Sequence, residues 1–260
     1  MPTLSCCGAA ALINAHLAGA MVAIALAGML RGASGFGQAL VFVPLAGLLY
    51  RPAVAVPMLW VVDAIATPLL LRPHLRSTDW REVSLLVIGG AATLPFGVWL
   101  LTRVDPIAMR WAICALVLLC TVALAVGWSV RIPETACGCV LLGGMSGLAG
   151  GATGMSGPPL ILSWLGRQTA AARIRSNIFV YLWLLGFVSL AAGAANGLLT
   201  QARLLHGLVL APCYAGAMFA GGRLFHHAGR MPPAWRERVF RRVALWMCAV
   251  SACAGLPIWR

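Results

Sequence analysis

Runs of apolar residues alternate with short polar segments along the chain, and this pattern predicts helices that cross a membrane. A helix needs about 20 apolar residues to span the hydrocarbon core of a bilayer, because each residue adds only about 1.5 Å to its length. Most of the runs reach or approach that length, but 38–50 and 158–166 are too short. The runs cover approximately residues 9–31, 38–50, 53–71, 82–101, 107–128, 135–150, 158–166, 176–195, 203–222 and 239–256.

Each short run follows a cluster of glycines. The first cluster covers residues 32–37 and reads Gly-Ala-Ser-Gly-Phe-Gly, and the second covers residues 151–157 and reads Gly-Ala-Thr-Gly-Met-Ser-Gly. Glycine adopts positive φ angles without strain and lets the backbone approach a ligand closely. We therefore predict that the helix is interrupted at each cluster.

The two clusters belong to an internal repeat. A shift of 119 residues aligns Gly28, Gly32 and Gly35 with Gly147, Gly151 and Gly154. A second match follows in the same order, with Gly97–Leu100 corresponding to Gly222–Phe225. We predict one membrane transport domain, residues 1–260, made of repeat 1 (about 9–128) and repeat 2 (about 135–256).

Each repeat is predicted to contain a glycine-broken re-entrant helical hairpin and three transmembrane helices. Because three crossings are an odd number, repeat 2 would begin on the opposite face, and the repeats would be inverted as in many secondary transporters. This topology, Arg31 aside, places thirteen arginines on one face and five on the other, namely Arg51, Arg103, Arg110, Arg203 and Arg260. Since cytoplasmic loops are rich in basic residues, both termini are expected to be periplasmic.

The composition supports an all-α, polytopic integral membrane protein. Apolar residues make up 61% of the chain and charged residues only 10%, whereas a soluble domain carries about 25% charged residues. The 19 basic residues are all arginines, and 6 residues are acidic, which gives a net charge of +13. These arginines lie between apolar runs, so we expect contacts with lipid headgroups rather than with nucleic acid.

The glycine clusters are the first candidates for function. A helix broken inside the hydrocarbon leaves backbone groups without partners, so such a break is expected beside a cavity. The N–H groups that start the short helices carry partial positive charge, and they could hold an anion together with hydroxyl groups. Close helix packing is the alternative explanation. The candidate substrate-binding residues are Gly32, Ser34, Gly35, Gly37, Gly151, Thr153, Gly154, Ser156 and Gly157.

Four further polar residues are candidates because they lie in or beside apolar runs. Arg31 directly precedes the first cluster and could neutralise an anionic substrate, or it could reach a headgroup or form a structural ion pair. Asp63 is either the partner of an arginine or a proton carrier. Arg175 and Asn177 are secondary candidates, although Asn177 is also compatible with a helix N-terminus at the interface.

No motif in the sequence indicates an enzyme, a cofactor or a metal site. Walker loops, nucleophile elbows, paired catalytic carboxylates and zinc-protease motifs are absent. The cysteine pairs Cys6/Cys7 and Cys137/Cys139 lack the further ligands that a zinc site needs. Two alternatives to transport stay open: a membrane thiol-redox protein that uses Cys137 and Cys139, and an assembly protein without transport activity.

The glycine motifs resemble those of the TauE/SafE sulfite exporter family, also called the toluene sulfonate uptake permease family. This resemblance implies a secondary transporter of the bacterial inner membrane that moves a small sulfur oxyanion or organosulfonate, such as sulfite or sulfoacetate. Alternating access is the mechanism we expect, and a homo-oligomer is compatible with the sequence. The motifs are Gly28-x-x-x-Gly32-x-x-Gly35-Phe36-Gly37 continuing to Val43-Pro44-Leu45, and Gly147 to Gly157-Pro158-Pro159-Leu160.

Overall fold

The computed structural model describes the backbone of residues 6–128, 132–133, 135–164, 171–227 and 233–257, and the side chains of residues 17–128, 132–133, 135–164, 173–224 and 242–257. Within these ranges the chain forms eleven helices and no strand. The helices are α1 (Cys6–Ser34), α2 (Gln38–Ala46), α3 (Pro52–Ala66), α4 (Pro68–Leu75), α5 (Trp80–Arg103), α6 (Pro106–Val126), α7 (Ala136–Thr153), α8 (Gly157–Trp164), α9 (Ala171–Ala195), α10 (Gln201–His227) and α11 (Pro233–Gly255).

Six helices of the described chain are long and apolar enough to cross a bilayer, which confirms the prediction of a polytopic helical membrane protein. They include α1 and α7, so the first limb of each predicted hairpin has the length of a full span. The number of crossings, and with it the inverted relation of the repeats, stays a prediction. The six segments are Leu17–Ser34, Trp80–Arg103, Pro106–Val126, Ala136–Thr153, Arg173–Ala195 and Gln201–Leu224.

The run predicted at 53–71 is divided into α3 and α4, whose axes differ by 60°. The bend falls at Thr67, directly before Pro68. Proline lacks a backbone N–H and clashes with the preceding helical turn, so it is a common cause of such a bend. The bend places a polar side chain, Thr67, in the protein interior, where it is fully buried.

Both glycine clusters interrupt a helix, as the sequence predicts. Gly35 and Gly154 have positive φ angles of 86° and 78°, respectively. The N–H of Gly35 donates to the carbonyl of Arg31 at 2.7 Å, and the N–H of Gly154 donates to the carbonyl of Gly150 at 2.8 Å. Because each of these pairs is related by the 119-residue shift, the repeat extends from sequence to backbone conformation.

The first helix of each repeat packs mainly against a helix of the other repeat, α1 against α10 and α7 against α5. Glycines allow these close approaches. A Cβ atom at Gly32 would overlap the backbone of Met218, and one at Gly151 would overlap the carbonyl of Leu94. The predicted repeat pairs Gly222 with Gly97. Gly222 lies against Gly32, and Gly97 lies against Gly151.

Aspartates fix the starts of two spanning helices. The Asp79 carboxylate accepts hydrogen bonds from the first-turn N–H groups of α5, and the Asp105 carboxylate does so for α6 at 2.9 and 3.1 Å. These bonds satisfy N–H groups that have no partner within the helix, and the negative charge interacts favourably with the positive end of the helix dipole. Both carboxylates are therefore explained by helix capping.

The glycine packing between repeats makes a stability prediction. Gly147→Ala would push a methyl group into the carbonyl of Gly90, and we expect a loss of about 1–3 kcal/mol, the usual effect of overpacking. Gly186 has nothing within 4 Å of an added Cβ, so Gly186→Ala should be neutral or stabilising by up to about 1 kcal/mol. Thermal unfolding in detergent, followed by tryptophan fluorescence, measures both. Equal changes in the two variants would contradict the packing.

Candidate anion-binding site

Arg31 lies in the last turn of α1, next to the first break, and is fully buried. Its Nη1 donates to Gln38 Oε1 at 2.9 Å and its Nη2 donates to Thr67 Oγ1 at 3.2 Å. Its Nε lies 3.3 Å from Asp63 Oδ1, and its Cζ lies 4.7 Å from the centre of the Phe179 ring. Three other helices and the bend at Thr67 therefore enclose one guanidinium group, which rules out a snorkelling position at a headgroup for this residue.

Asp63, near the end of α3, is the counter-charge of Arg31. Its Oδ1 also accepts hydrogen bonds from Thr67 Oγ1 at 3.0 Å and from the Tyr214 hydroxyl at 3.1 Å. Tyr214 comes from α10 and is fully buried. Of the two roles that the sequence left open for Asp63, the partner of an arginine is therefore the contact present in the structure.

The N-terminus of α2 faces this cluster, because its first residue, Gln38, holds Arg31. Gly37 is the N-cap with a φ of 91°, and no side chain caps the helix. Gln38, Ala39 and Leu40 are all buried. First-turn N–H groups carry the positive end of the helix dipole, so α2 adds a second source of positive potential beside the guanidinium.

Arg175 brings another guanidinium to the first break. Its Nη2 donates to the carbonyl of Gly32, and its Cγ lies 2.9 Å from where a Cβ of Gly35 would be. The side chain thus lies along the interrupted backbone. Two arginines, from α1 and α9, consequently flank the same break.

The second break is held by neutral groups. The Tyr181 hydroxyl donates to Ser146 Oγ at 2.8 Å, and the Ser146 hydroxyl donates to the carbonyl of Ser156. All three residues are buried. Positive charge is therefore concentrated at the first break, while the second break supplies an uncharged polar wall.

The two breaks contact each other. A Cβ at Gly157 would lie 3.6 Å from Cβ of Phe36, and a Cβ at Gly154 would lie 3.5 Å from the Val43 side chain of α2. These are ordinary van der Waals distances. The glycine clusters, which are more than one hundred residues apart in the chain, thus form the two sides of one region.

The three candidate hydroxyl groups make different contacts. The Ser34 hydroxyl is within 2.7 Å of the carbonyls of both Leu30 and Phe36, and the Thr153 hydroxyl donates to the carbonyl of Ala149 at 2.7 Å. Ser34 and Thr153 therefore bond to the backbone around each break. Ser156 is held through its carbonyl instead.

The side chain of Asn177, a residue of α9, contacts the start of α5 rather than the break. Its Oδ1 accepts from the N–H of Asp79 at 2.9 Å, and its Nδ2 donates to Glu82 Oε2 at 3.0 Å. Trp164, the last residue of α8, donates to the other oxygen of Glu82 at 2.9 Å. Asn177 thus connects helix ends.

Four residues that contact Arg31 or Asp63 were not among the candidates from the sequence: Gln38, Thr67, Phe179 and Tyr214. Gln38 and Thr67 were detectable as polar residues inside apolar runs. Phe179 and Tyr214 carry no such signal, because aromatic residues are common in membrane helices.

None of the seven cysteines with described side chains forms a disulfide. Cys137 is exposed and Cys139 is buried, and residues two apart on a helix do not face each other. The helix therefore holds these two thiols apart, which gives no support to the thiol-redox alternative. Cys6 and Cys7 lie outside the described side chains. No group of three potential metal ligands occurs among the described residues.

A cavity of about 550 Å³ lies at the opposite end of α2, between the α2–α3 loop and the start of α6. Arg51, Asp105 and Arg110 are among its lining residues. Arg110 also donates to the carbonyl of Gly255 at 3.1 Å, which ties α6 to the end of α11. Because α2 has nine residues, a length of about 13 Å separates this cavity from the break.

A multi-pass helical protein with broken helices that meet beside a buried arginine is built like a membrane transport protein. The chain belongs to the sulfite exporter TauE/SafE family, whose sequence model matches residues 20–255. This confirms the resemblance drawn from the glycine motifs, and it identifies the protein as a member of a membrane transporter family for sulfur compounds. Neither the curated proteins nor the solved structures contain a significant match.

The Arg31–Asp63 contact can be tested through stability. Removal of one partner from a buried ion pair costs about 3–5 kcal/mol, because the other charge is left without compensation. We expect Arg31→Gln and Asp63→Asn to lower the free energy of unfolding strongly and non-additively, since the double variant leaves no lone charge. Arg31→Gln combined with Asp105→Asn should be additive. Detergent-unfolding titrations of the unaltered protein, the three single variants and the two double variants give the two coupling energies. A value near zero for Arg31 and Asp63 would contradict the ion pair.

Proposed function

We propose that the protein is a secondary transporter that moves a small sulfur oxyanion or an organosulfonate, such as sulfite or sulfoacetate, across the bacterial inner membrane by alternating access. The substrate binds where the two glycine breaks meet. The observation that carries this proposal is the fully buried Arg31, which lies between the first break and the uncapped N-terminus of α2.

The charge distribution favours an anion at this position. Arg31 and Arg175 flank the first break, and Asp63 is the one carboxylate in contact with Arg31 among the described residues. An oxyanion that leaves water must replace its hydration shell with several donors. Two guanidinium groups and the first-turn N–H groups of α2 can provide them, because they occupy the same end of one short helix.

The glycines keep the backbone accessible to such a ligand. Gly32, Gly35 and Gly37 surround the first break, while Gly151, Gly154 and Gly157 surround the second. Side chains at five of these six positions would strain the chain or collide with it. Gly35, Gly37 and Gly154 have positive φ angles, and Gly32 and Gly151 have no room for a Cβ atom beside a neighbouring backbone. Ser34, Thr153 and Ser156 support the breaks through the contacts described above, and Asn177 supports the nearby helix ends.

Alternating access would open and close the contact between the two breaks. The half-helices α2 and α8 each follow a break, and the residues around Phe36 and Gly157 touch across the two repeats. A rocking motion that separates one side of this contact while closing the other would expose the site to each face in turn. The lipid bilayer and the anionic substrate are the partners that this mechanism requires.

Tracer flux tests the transport function and its site together. Proteoliposomes should take up radiolabelled sulfite or a sulfonate, and Gly35→Val and Gly154→Val should each reduce uptake by about tenfold or more, since a left-handed conformation costs an ordinary residue about 1–2 kcal/mol and a β-branched residue more.

Gly186→Val is the matched control, because this α9 position has free space and no positive φ angle. It should retain uptake when the amount of inserted protein is equal. Full uptake by Gly35→Val and Gly154→Val would overturn the site, and no uptake of either solute by the unaltered protein would overturn the function.

The orientation can be measured independently. With both termini in the periplasm, as the distribution of arginines predicts, an alkaline phosphatase fused after Arg260 should be active in a bacterial host. A fluorescent protein that matures only in the cytoplasm should stay dark at the same position. The reverse pair of results would require the opposite topology.

A further inference from the structure

The two carboxylate oxygens of Asp63 differ in their contacts. Its Oδ1 receives all the described contacts: hydrogen bonds from Thr67 and Tyr214 and the approach of the Arg31 Nε at 3.3 Å. Its Oδ2 has no hydrogen bond among the described residues. The side chain also keeps 11% of its surface accessible, whereas that of Arg31 has none. One oxygen therefore holds the ion pair while the other is available to a proton.

We propose that Asp63 is the binding site of a coupling proton, and that its protonation releases Arg31 to hold the anionic substrate. This inference rests on the proposed transport function and names the ion that drives it. The carboxylate and the substrate anion compete for the same guanidinium. Without protonation, a substrate anion that pairs with Arg31 would leave the Asp63 carboxylate without the counter-charge that it has in the structure.

Protonation removes that conflict. A proton that binds Oδ2 converts the carboxylate to a neutral carboxylic acid, which can still accept from Thr67 and Tyr214 through Oδ1. Arg31 stays charged and takes the substrate anion as its counter-charge. When substrate and proton leave on the other side, the Arg31–Asp63 pair re-forms. Arg31 therefore has one counter-charge in each state, and Asp63 is never left charged without it in the apolar interior.

The surrounding helices leave no second carboxylate to take this role among the described residues. Arg31 on α1 and Tyr214 on α10 face Asp63 directly. The next titratable groups are His74 of α4, which stacks on Phe179 at 4.6 Å and contacts Ser176, and Arg175 of α9.

The other helices packed against α3 bring no further carboxylate to Arg31 among the described residues. Helix α10 carries Arg203, His206 and Arg223 but no acid. Helix α2 contains no charged residue, and the charged residues of α5 and α6 lie near the ends of these helices, namely Arg81, Glu82, Arg103 and Arg110. Asp63 is thus the single acid that shares Arg31 with a ligand in this part of the structure.

The experiment uses full-length protein in proteoliposomes with the membrane potential clamped at zero. The probes are radiolabelled sulfite and methanesulfonate, the latter being a monoanion throughout the working pH range. With the outside one pH unit more acidic than the inside, one proton per monoanion predicts about tenfold accumulation of methanesulfonate, because one pH unit corresponds to a tenfold ratio.

Asp63→Asn imitates the protonated carboxyl group. It should keep exchange of internal for external anion but lose accumulation driven by the pH gradient, so that the concentration ratio falls to one. Asp105→Asn, the same chemical change at a helix cap, should accumulate substrate like the unaltered protein. Accumulation by Asp63→Asn would overturn the inference, as would an unaltered protein that transports anion without responding to the gradient. If the unaltered protein transported neither solute, the proposed function itself would be overturned.

A second measurement covers the case in which Asp63→Asn does not fold. Methanesulfonate added to the purified, unaltered protein in weakly buffered detergent solution should cause uptake of one proton per bound anion, detected with a pH indicator dye. Binding and protonation are linked reciprocally, so a lower pH should tighten anion binding. Binding without proton uptake would overturn the inference.

Discussion

A guanidinium enclosed by protein in an apolar medium must have a counter-charge, and Arg31 obtains it from Asp63. The other contacts of the cluster follow from this one: Thr67 and Tyr214 bond to the carboxylate, and Gln38 and Phe179 complete the shell around the arginine. Because these side chains come from five helical segments, the ion pair determines how the helices meet. Breaking it would leave a lone charge where water cannot compensate it.

The broken helices could be predicted from the sequence, because glycine spacing reports directly on backbone conformation. Gly35 and Gly154 have the positive φ angles that their clusters suggested. The family relation rests on the same motifs and is confirmed over residues 20–255. The general position of Arg31 was predictable for a related reason, since it directly precedes the first cluster.

The partners of that arginine could not be chosen from the sequence alone, because they depend on the packing of distant helices. Apolar periodicity does not show that α10 brings Tyr214 to Asp63. Hydrogen bonds to the nearby backbone also determined what some of the predicted side chains contact. Ser34 and Thr153 were expected to face a ligand, but a hydroxyl near a helix end readily bonds to a carbonyl one turn earlier, and both do so here. Asn177 similarly bonds near the start of α5.

The packing of the first helix of each predicted repeat against a helix of the other has a mechanical consequence. At the α1–α10 and α5–α7 contacts several glycines bring the two backbones into direct contact. Such contacts resist sliding, because even a small shift brings main-chain atoms into collision. In the proposed alternating-access motion, the rigid units would therefore each combine helices from both halves of the chain. The boundary between moving parts would then differ from the boundary between the predicted repeats.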